Sequence, residues 1–254
     1  MSRPWHRGLN LWGLVPVALA LALWEIVARF GLLPGDTFLP PFSAVVHELY
    51  DLAITGVLAQ NFLPSLRRVM VGLVAGAVAG ILVGTAIGWK KQVGTALGPI
   101  ISLLYPIPAL GWLPLLMLWI GINELLPITI IFICSFFPIC YTTATGIKGV
   151  DPRYVQAARS LGSPDLRILA TVVFPLALPD IFTGLRLEAG MAWRVIIAAE
   201  MVAIPTGIGA LLMRSESLMR VDTIIACLMV LSIMCFCFER ALLLLERRLT
   251  EQWR

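Results

Sequence analysis

Charged residues are scarce in this chain of 254 residues: Asp, Glu, Lys and Arg make up 13% of it, about half the share found in average soluble proteins. Hydrophobic residues make up 59%, and the mean hydropathy is +0.91. So few charges do not cover the surface of a water-soluble fold of this size, and so much apolar side chain excludes intrinsic disorder. The composition therefore predicts a polytopic membrane protein.

Residues that carry enzyme or metal chemistry are also few. His6 and His47 are the two histidines, and the five cysteines lie within apolar stretches, without the spacing of metal ligands. We therefore predict buried structural cysteines, no disulfide and no metal site. The net charge of +4 is spread along the chain, so no basic block suits nucleic acid. A membrane enzyme, which needs converging catalytic groups, is disfavoured for the same reasons.

Six apolar runs have the length of about 20 residues that a helix needs to cross a bilayer. We predict an all-α fold with a single transmembrane domain over 1–254 and spans at about 9–28, 66–89, 95–120, 125–147, 178–203 and 222–244. A cleaved signal peptide is the alternative for the first run, because Ala18-Leu19-Ala20 resembles a cleavage site. The third run contains four prolines, Pro99, Pro106, Pro108 and Pro114, and is therefore predicted to be bent or split.

Positive charges indicate which ends of the spans are cytoplasmic. Segments 1–10, 90–94, 146–175 and 239–254 hold 12 of the 19 Lys and Arg residues, and the opposite segments 29–68, 120–125 and 203–222 hold 5. Cytoplasmic segments are the richer ones, so both termini are predicted to be cytoplasmic. Arg67 and Arg68 lie on the outer side against this trend. They are interpreted as interfacial snorkelling side chains or as an anion-attracting mouth.

Glycine recurs every four residues through the second predicted span. Close approach of two backbones supplies packing energy in a membrane, where apolar side chains gain little from leaving lipid. We predict that this stripe packs against a neighbouring helix, and a sliding surface for conformational change is the functional alternative. The glycines are Gly72, Gly76, Gly80, Gly84 and Gly88.

The longest polar segment, 148–176, lies between the fourth and fifth predicted spans. Asp151-Pro152 is typical of a helix start, and Gly162 of a helix end. Ser163-Pro164-Asp165 begins a second helix. We therefore predict a cytoplasmic loop of two short helices that exposes Ala157 and Ala158, whose small side chains permit close approach of another protein. A simple connector is the alternative.

Charged side chains inside the fifth span are costly and mark candidate functional positions. At 100° per residue, Gly190, Trp193, Arg194 and Glu200 fall with Arg186 in an arc of about 120°, with Glu188 on the opposite face. This face either braces helices through ion pairs or lines a pathway. The pathway candidates are Arg186, Trp193, Arg194 and Glu200, with Trp112 and Trp119 as an apolar wall.

The polar loop resembles the EAA signature of ABC importer permeases: Glu-Ala-Ala, three residues, Gly, nine residues, then Ile-x-Leu-Pro. Gln replaces Glu, Val replaces Ile and Phe replaces Leu, and the spacing is intact. The matching positions are Gln156, Ala157, Ala158, Gly162, Val172, Phe174 and Pro175. Other stretches resemble the nitrate/sulfonate/taurine/bicarbonate branch of the family: 38–41, 65–68, 105–114, 118–121, 175–179, 183–186 and 198–200.

This resemblance implies a type I ABC importer-like permease in a bacterial plasma membrane. It implies three partners: an ATPase dimer, a second permease subunit, expected to be a second copy of this chain, and an extracytoplasmic substrate-binding protein. Gln156, Ala157, Ala158, Gly162 and Pro175 would couple to the ATPase. No Gly-x-x-x-x-Gly-Lys-[Ser/Thr] stretch occurs here, so ATP-Mg is expected on the partner and the chain itself is not expected to be an enzyme.

The expected cargo is a small anion of the sulfonate, taurine, nitrate or bicarbonate type. A neutral or cationic heterocycle, such as a thiamine precursor, is the alternative within the same architecture. A secondary transporter is less well supported, because only the third span is interrupted and no matching break is seen in the other half. A purely structural membrane protein is a further alternative.

Overall fold

The computed structural model describes residues 11–30 and 39–250, and the segments it describes are helical with short connections and no strands. A 3₁₀ turn covers Ala109–Trp112, and a π-helical turn covers Leu169–Val173. The predicted all-α class is confirmed. The helices are α1 (Leu11–Arg29), α2 (Phe42–Ile54), α3 (Val57–Trp89), α4 (Lys91–Leu104), α5 (Leu113–Ile120), α6 (Leu125–Lys148), α7 (Pro152–Ser160), α8 (Asp165–Ile168), α9 (Phe174–Ala203), α10 (Ile208–Ser217) and α11 (Val221–Thr250).

Four helical segments in the described part of the chain are long and apolar enough to cross a membrane: Val57–Trp89, Leu125–Lys148, Asp165–Ala203 and Val221–Arg248. The bent pair Lys91–Leu104 and Ala109–Ile120 makes a fifth if it is one span. The 19-residue α1 falls on the first predicted span, of which residues 9 and 10 lie outside the described residues. The multi-pass character is thus established, and the number six stays a prediction.

The third predicted span is broken, as its prolines indicate. After α4 the helical path turns by 90° before it resumes at Ala109. Pro106 and Pro108 lie within this turn, where Ile107 N–H donates to the Leu104 carbonyl over 3.1 Å. Proline has no N–H and a fixed φ, so the helical hydrogen-bond ladder does not continue through both residues. The break leaves non-helical backbone between two half-spans.

Helix α3 packs along α6 through the glycine stripe. A Cβ at Gly72 would lie 2.7 Å from Ile131 Cβ, and one at Gly84 would lie 2.8 Å from Thr143 Cβ. The facing side chains on α6 also recur every four residues, so the two helices keep one register over five contacts. No side chain larger than hydrogen fits without a shift. The facing pairs are Gly72–Ile131, Gly76–Ser135, Gly80–Ile139, Gly84–Thr143 and Gly88–Ile147.

The main core lies where α3, α9, α10 and α11 meet. Trp193 of α9 is fully buried there and stacks in parallel on Phe62, with ring centroids 6.1 Å apart. Phe238 of α11 contacts the same indole edge-on at 5.5 Å. Burial of one Trp between two aromatic rings stabilises the fold both by area and by ring geometry. This core fixes the rotation of α9 about its axis.

Two helices extend beyond their predicted bounds. α3 begins at Val57, nine residues before the predicted span, because Asn61 donates back to the Val57 carbonyl over 2.9 Å and so keeps its polar group satisfied on the helix. The second helix of the polar loop begins at Asp165 as predicted, but it is not separate from the fifth span, because Asp165–Ala203 is one continuous helical segment. α8 continues through the π turn into α9, and the wider turn accommodates Pro175, which has no N–H.

Candidate functional site

The polar loop folds locally as its sequence indicates. Asp151 caps α7 by accepting a hydrogen bond from the Arg153 N–H over 2.9 Å, and Pro152 occupies the first turn. The helix ends before Gly162, whose φ of +78° lies in the left-handed region that favours glycine. A Cβ at Gly162 would meet nothing within 4 Å, so the backbone angle alone demands glycine there.

One side of this loop faces outward and is not covered by the other described residues. Leu161 has 86% of its surface exposed and Leu166 has 78%, which is unusual for leucine unless another surface covers it. Gln156 and Ala157 are exposed on α7. The prediction that Ala158 is exposed is wrong, because it is half-buried against the cluster around Ile147. Pro175 is buried and belongs to the start of α9.

The arc predicted on the fifth span is not one exposed face. Trp193 lies in the core, and Glu200 is buried near the C-terminal end of α9. Arg186 Nη1 lies 3.2 Å from Glu246 Oε2 of α11. Counting degrees along a helix gives the relative directions of side chains, but not which direction the neighbouring helices cover. Trp193 and Glu200 therefore point into the protein rather than toward an open path.

The uncovered face of α9 is rotated from the predicted one and is centred on Leu187, Met191 and Arg194, all exposed. Arg194 Nη1 lies 3.6 Å from Met191 Sδ, and no ion pair of this guanidinium occurs among the described residues. Gly190 adjoins open space. Of the two tryptophans expected to form a wall, Trp112 is half-buried beside α5 and α6, and Trp119 is 67% exposed.

A buried charged network joins three helices close to the start of α6 and the C-terminal end of α9. Arg68 is completely buried, so its interpretation as a snorkelling or mouth residue is wrong. Its Nη1 donates to Glu200 Oε1 over 2.7 Å, and its Nε donates to Glu124 Oε2 over 2.9 Å. Nη1 and Nη2 also reach the carbonyl and hydroxyl oxygens of Thr206, each over 2.8 Å. One guanidinium thus ties α3 to the start of α6 and the end of α9.

Glu200 receives further donors besides Arg68. Ser65 Oγ lies 2.8 Å from its carboxylate, and Gly209 N–H donates to Oε2 over 3.1 Å. Gly207 has a φ of +116°, and a Cβ there would overlap the Glu200 carboxylate. The sequence separation of 132 residues between Arg68 and Glu200 hid this network from sequence reasoning. The stretches Ser65–Arg68 and Ala198–Glu200, which hold the two ends of this pair, are both among those that resemble the family, but the resemblance did not indicate that they meet.

Glu124 completes the network at its exposed edge. It also pairs with Arg67 Nη2 over 3.0 Å, and its side chain is half-exposed. The hydrogen bond from Arg68 holds the pKa of the Glu124 carboxyl below its ordinary value. The network is therefore held by a charge pair inside the protein and a second carboxylate that faces water.

A cavity of about 290 Å³ lies at the break between α4 and α5. Sequence reasoning placed Glu188 opposite the candidate face and missed that it lines this cavity. The carboxylate is 8% exposed, and Cys134 Sγ lies 3.6 Å from its Oε2. No set of three metal-ligating side chains is brought together in the described parts of the chain. The lining residues are Tyr105, Pro106, Ile107, Pro108, Ala109, Ile133, Cys134, Phe137, Pro138, Glu188 and Met191.

Comparison with curated proteins gives long matches. The chain is 37% identical over 234 residues to a putative ABC transporter permease of Methanocaldococcus jannaschii, covering 90% of this chain and 87% of the relative. It is 36% identical over 239 residues to the taurine transport system permease of Escherichia coli, covering 92% and 86%. It is 33% identical over 243 residues to the nitrate import permease of Synechocystis, covering 91% and 86%.

Solved structures match the fold at low identity. An amino acid ABC transporter solved with histidines matches with a TM-score of 0.66 at 20% identity, covering 79% of this chain and 97% of that one. An inward-facing form of the MetNI methionine ABC transporter matches with a TM-score of 0.65 at 16% identity, covering 75% and 94%. Residues 58–251 match the family described as the binding-protein-dependent transport system inner membrane component, and the chain belongs to that family.

Proposed function

We propose that this chain is the membrane subunit of an ATP-driven importer whose cargo is a small organic anion of the sulfonate or taurine type. An extracytoplasmic binding protein delivers the cargo, and a separate ATPase pair binds ATP-Mg. The observation that carries the proposal is the 36% identity to a taurine permease over 92% of the chain. The uncovered Arg194 on α9 supports an anionic group, because a guanidinium is always charged and needs a partner.

The loop around α7 is the proposed contact with the ATPase. Gln156, Ala157 and Gly162 lie on its outward side, and the exposed Leu161 adds apolar area for a partner to cover. Ala158 and Pro175 hold this loop against the base of α9. Because α8, the π turn and α9 form one continuous helix, a push on the loop is transmitted into the membrane domain as movement of a rigid element.

Two copies of the chain, with both termini of each in the cytoplasm, form the proposed membrane unit. The exposed face of α9 around Leu187 and Met191 is the proposed lining of the path between them. Each subunit has six spans if α1 crosses the membrane and the bent pair is one span.

Single cysteines at Ser163 and at the exposed Leu218, in a cysteine-free chain, test the orientation. An impermeant maleimide is expected to label Leu218→Cys on intact cells, and labelling of Ser163→Cys from outside would overturn the orientation.

The coupling assignment is tested with Ala157→Trp. A bulky ring on this exposed surface is expected to reduce the amount of ATPase that co-purifies with the permease and its stimulation by the loaded binding protein. Gln92→Trp is the matched control, because Gln92 is also exposed but lies at the start of α4, outside the loop. Equal loss of ATPase in both variants, or full retention in Ala157→Trp, would contradict the assignment.

The role of Arg194 is tested by uptake into proteoliposomes together with thermal unfolding. Arg194→Ala is expected to slow uptake of taurine at unchanged melting temperature, and Arg194→Lys to keep part of the rate, since it retains charge but loses the planar fork. Arg186→Ala is the control, because this arginine is paired with Glu246. A lowered melting temperature with normal turnover per folded molecule would assign Arg194 a bracing role instead.

A further inference from the structure

Glu188 lies at the middle of α9, the fifteenth of its 30 residues, and so at mid-depth of the helix. The break between α4 and α5 faces it across the cavity, and α6 closes the side through Cys134 and Phe137. Irregular backbone at membrane depth is tolerated where it lines a cavity rather than lipid. The cavity therefore lies at the depth where we expect a transported molecule to cross the membrane.

The surroundings of Glu188 differ sharply from those of Glu200 on the same helix. Glu200 is bound by Arg68, Ser65 and the Gly209 N–H. Glu188 is nearly as buried, but among the described residues its one side-chain hydrogen bond comes from the Cys134 thiol, a weak donor, over 3.6 Å. A carboxylate in such a place is costly without a positive partner. The protein supplies no such partner in the described residues, and the cavity beside Glu188 has room for one.

The rest of the cavity wall also favours positive charge. Pro106 and Pro108 have no N–H, so this part of the wall lacks two backbone donors; of their two carbonyls, that of Pro108 accepts from the Gly111 N–H over 2.8 Å. Tyr105 and Phe137 contribute aromatic rings, whose faces attract cations. An ammonium group has donors and no acceptors, which suits this wall. A small inorganic anion such as nitrate would be repelled by the same groups.

A positive group lies near the cavity on α9, beyond Met191. Arg194 follows Glu188 by six residues, about 9 Å along the helix axis. Its side chain reaches back to Met191, which lines the cavity, with Nη1 3.6 Å from Sδ. Met191, in the cavity wall, therefore has the buried Glu188 on one side and the exposed Arg194 on the other. A molecule that carries both a cation and an anion meets a complementary group at each end.

We propose that the cavity beside Glu188 receives a protonated amine of the cargo while Arg194 receives its anionic group, so that the cargo is a zwitterion of the aminoalkanesulfonate class. This inference rests on the proposed import of an organic anion and narrows it. It excludes nitrate and simple alkanesulfonates as preferred cargo, because these lack the group that neutralises Glu188.

The first experiment measures the charge preference of the cavity without any cargo. Met191→Cys is introduced into the cysteine-free permease in its full complex, and its modification rates with aminoethyl and sulfonatoethyl methanethiosulfonate are compared. The ratio of cationic to anionic rates, normalised to the exposed control Leu218→Cys, is expected to be at least about tenfold. Coulomb's law gives that factor in water for reversing a unit charge about 6 Å from a carboxylate. Adding Glu188→Gln is expected to bring the normalised ratio close to one.

The second experiment compares taurine with ethanesulfonate, which has the same two-carbon sulfonate skeleton but no amine. In proteoliposomes with the complete importer, taurine is expected to be taken up at least tenfold faster, and Glu188→Gln to lose most of that advantage. If neither sulfonate is taken up but the labelling ratio still depends on Glu188, the proposed cargo fails and the cation-selective cavity stands. A labelling ratio near one with Glu188 intact would overturn the inference, because the carboxyl would then be uncharged or out of reach.

Discussion

Removal of the Arg68 guanidinium is expected to be among the most damaging single changes in the chain. Arg68→Met keeps an unbranched side chain of similar length but deletes the hydrogen bonds that the Arg68 guanidinium donates to Glu124, Glu200 and Thr206. Glu200, which is 1% exposed, keeps only the donors of Ser65 and Gly209. The variant therefore leaves a buried carboxylate without its counter-charge.

The magnitude follows from the burial of the pair. Breaking a buried ion pair by removing one partner costs about 3–5 kcal/mol, because the remaining charge is uncompensated. For a domain of this size, about 2–4 °C of melting temperature correspond to 1 kcal/mol, so a decrease of roughly 6–20 °C is expected. Arg67→Met is the matched control. This neighbouring arginine is 65% exposed and pairs with Glu124 at the surface, and such pairs contribute about 0–1 kcal/mol.

The assay is thermal unfolding of the purified complex in one detergent at one heating rate, since unfolding of membrane complexes is often irreversible and the rate then affects the midpoint. Arg68→Met combined with Glu200→Gln completes a double-mutant cycle, and the double variant is expected to recover at least 1 kcal/mol relative to the sum of the singles. Equal effects of Arg68→Met and Arg67→Met, or strict additivity in the cycle, would refute the assignment of a buried pair.

Two further predictions concern helix packing and pH. Gly84→Ala is expected to lower stability by about 1–3 kcal/mol through overpacking against Thr143, whereas Gly98→Ala, whose Cβ meets nothing within 4 Å, is expected to keep or raise the melting temperature; equal shifts would contradict the close helix contact. Because the pKa of Glu124 is lowered in the folded protein, its contribution is present above its ordinary pKa near 4.5 and is lost as pH falls through the lowered value. The melting-temperature advantage of wild type over Glu124→Gln is therefore expected to be constant down to about pH 5 and to shrink below it, and parallel curves down to pH 3 would contradict this.

Local features of the chain were predictable because a few adjacent residues determine them. The cap at Asp151, the left-handed turn at Gly162 and the break at Pro106 and Pro108 each follow from backbone chemistry within one or two turns. The glycine stripe also indicated its own close packing, because a spacing of four residues keeps the small positions near one side of a helix. Its partner α6 was not predictable, since nothing in the spacing names the helix that it faces.

The charged residues of α9 were misplaced because their environment depends on distant segments. Helical periodicity gave the angles between Glu188, Trp193 and Glu200 but not which of these directions α3 and α11 cover. Phe62, Arg68 and Phe238 decide that question, and each is far from α9 in sequence. Of the two roles left open for the predicted face, Glu200 has the bracing one, through its ion pair with Arg68, and Glu188, assigned to the far face, lines a cavity.

The two glutamates divide α9 into a fixed end and an open middle. At the C-terminal end of α9, Arg68 and its partners connect α3, α6, α9 and the segment before α10 through hydrogen bonds that are mostly shielded from water. Separation of these helices would expose the pair or strand a charge, at a cost of several kcal/mol. In the proposed pair of subunits, opening at this end is therefore cheaper if the helices that the network joins move as one body than if they part within a subunit. Glu188 at the cavity and the exposed Arg194, nearer the middle of α9, have no ion pair among the described residues, so on the proposed transport path both charges are available to the cargo.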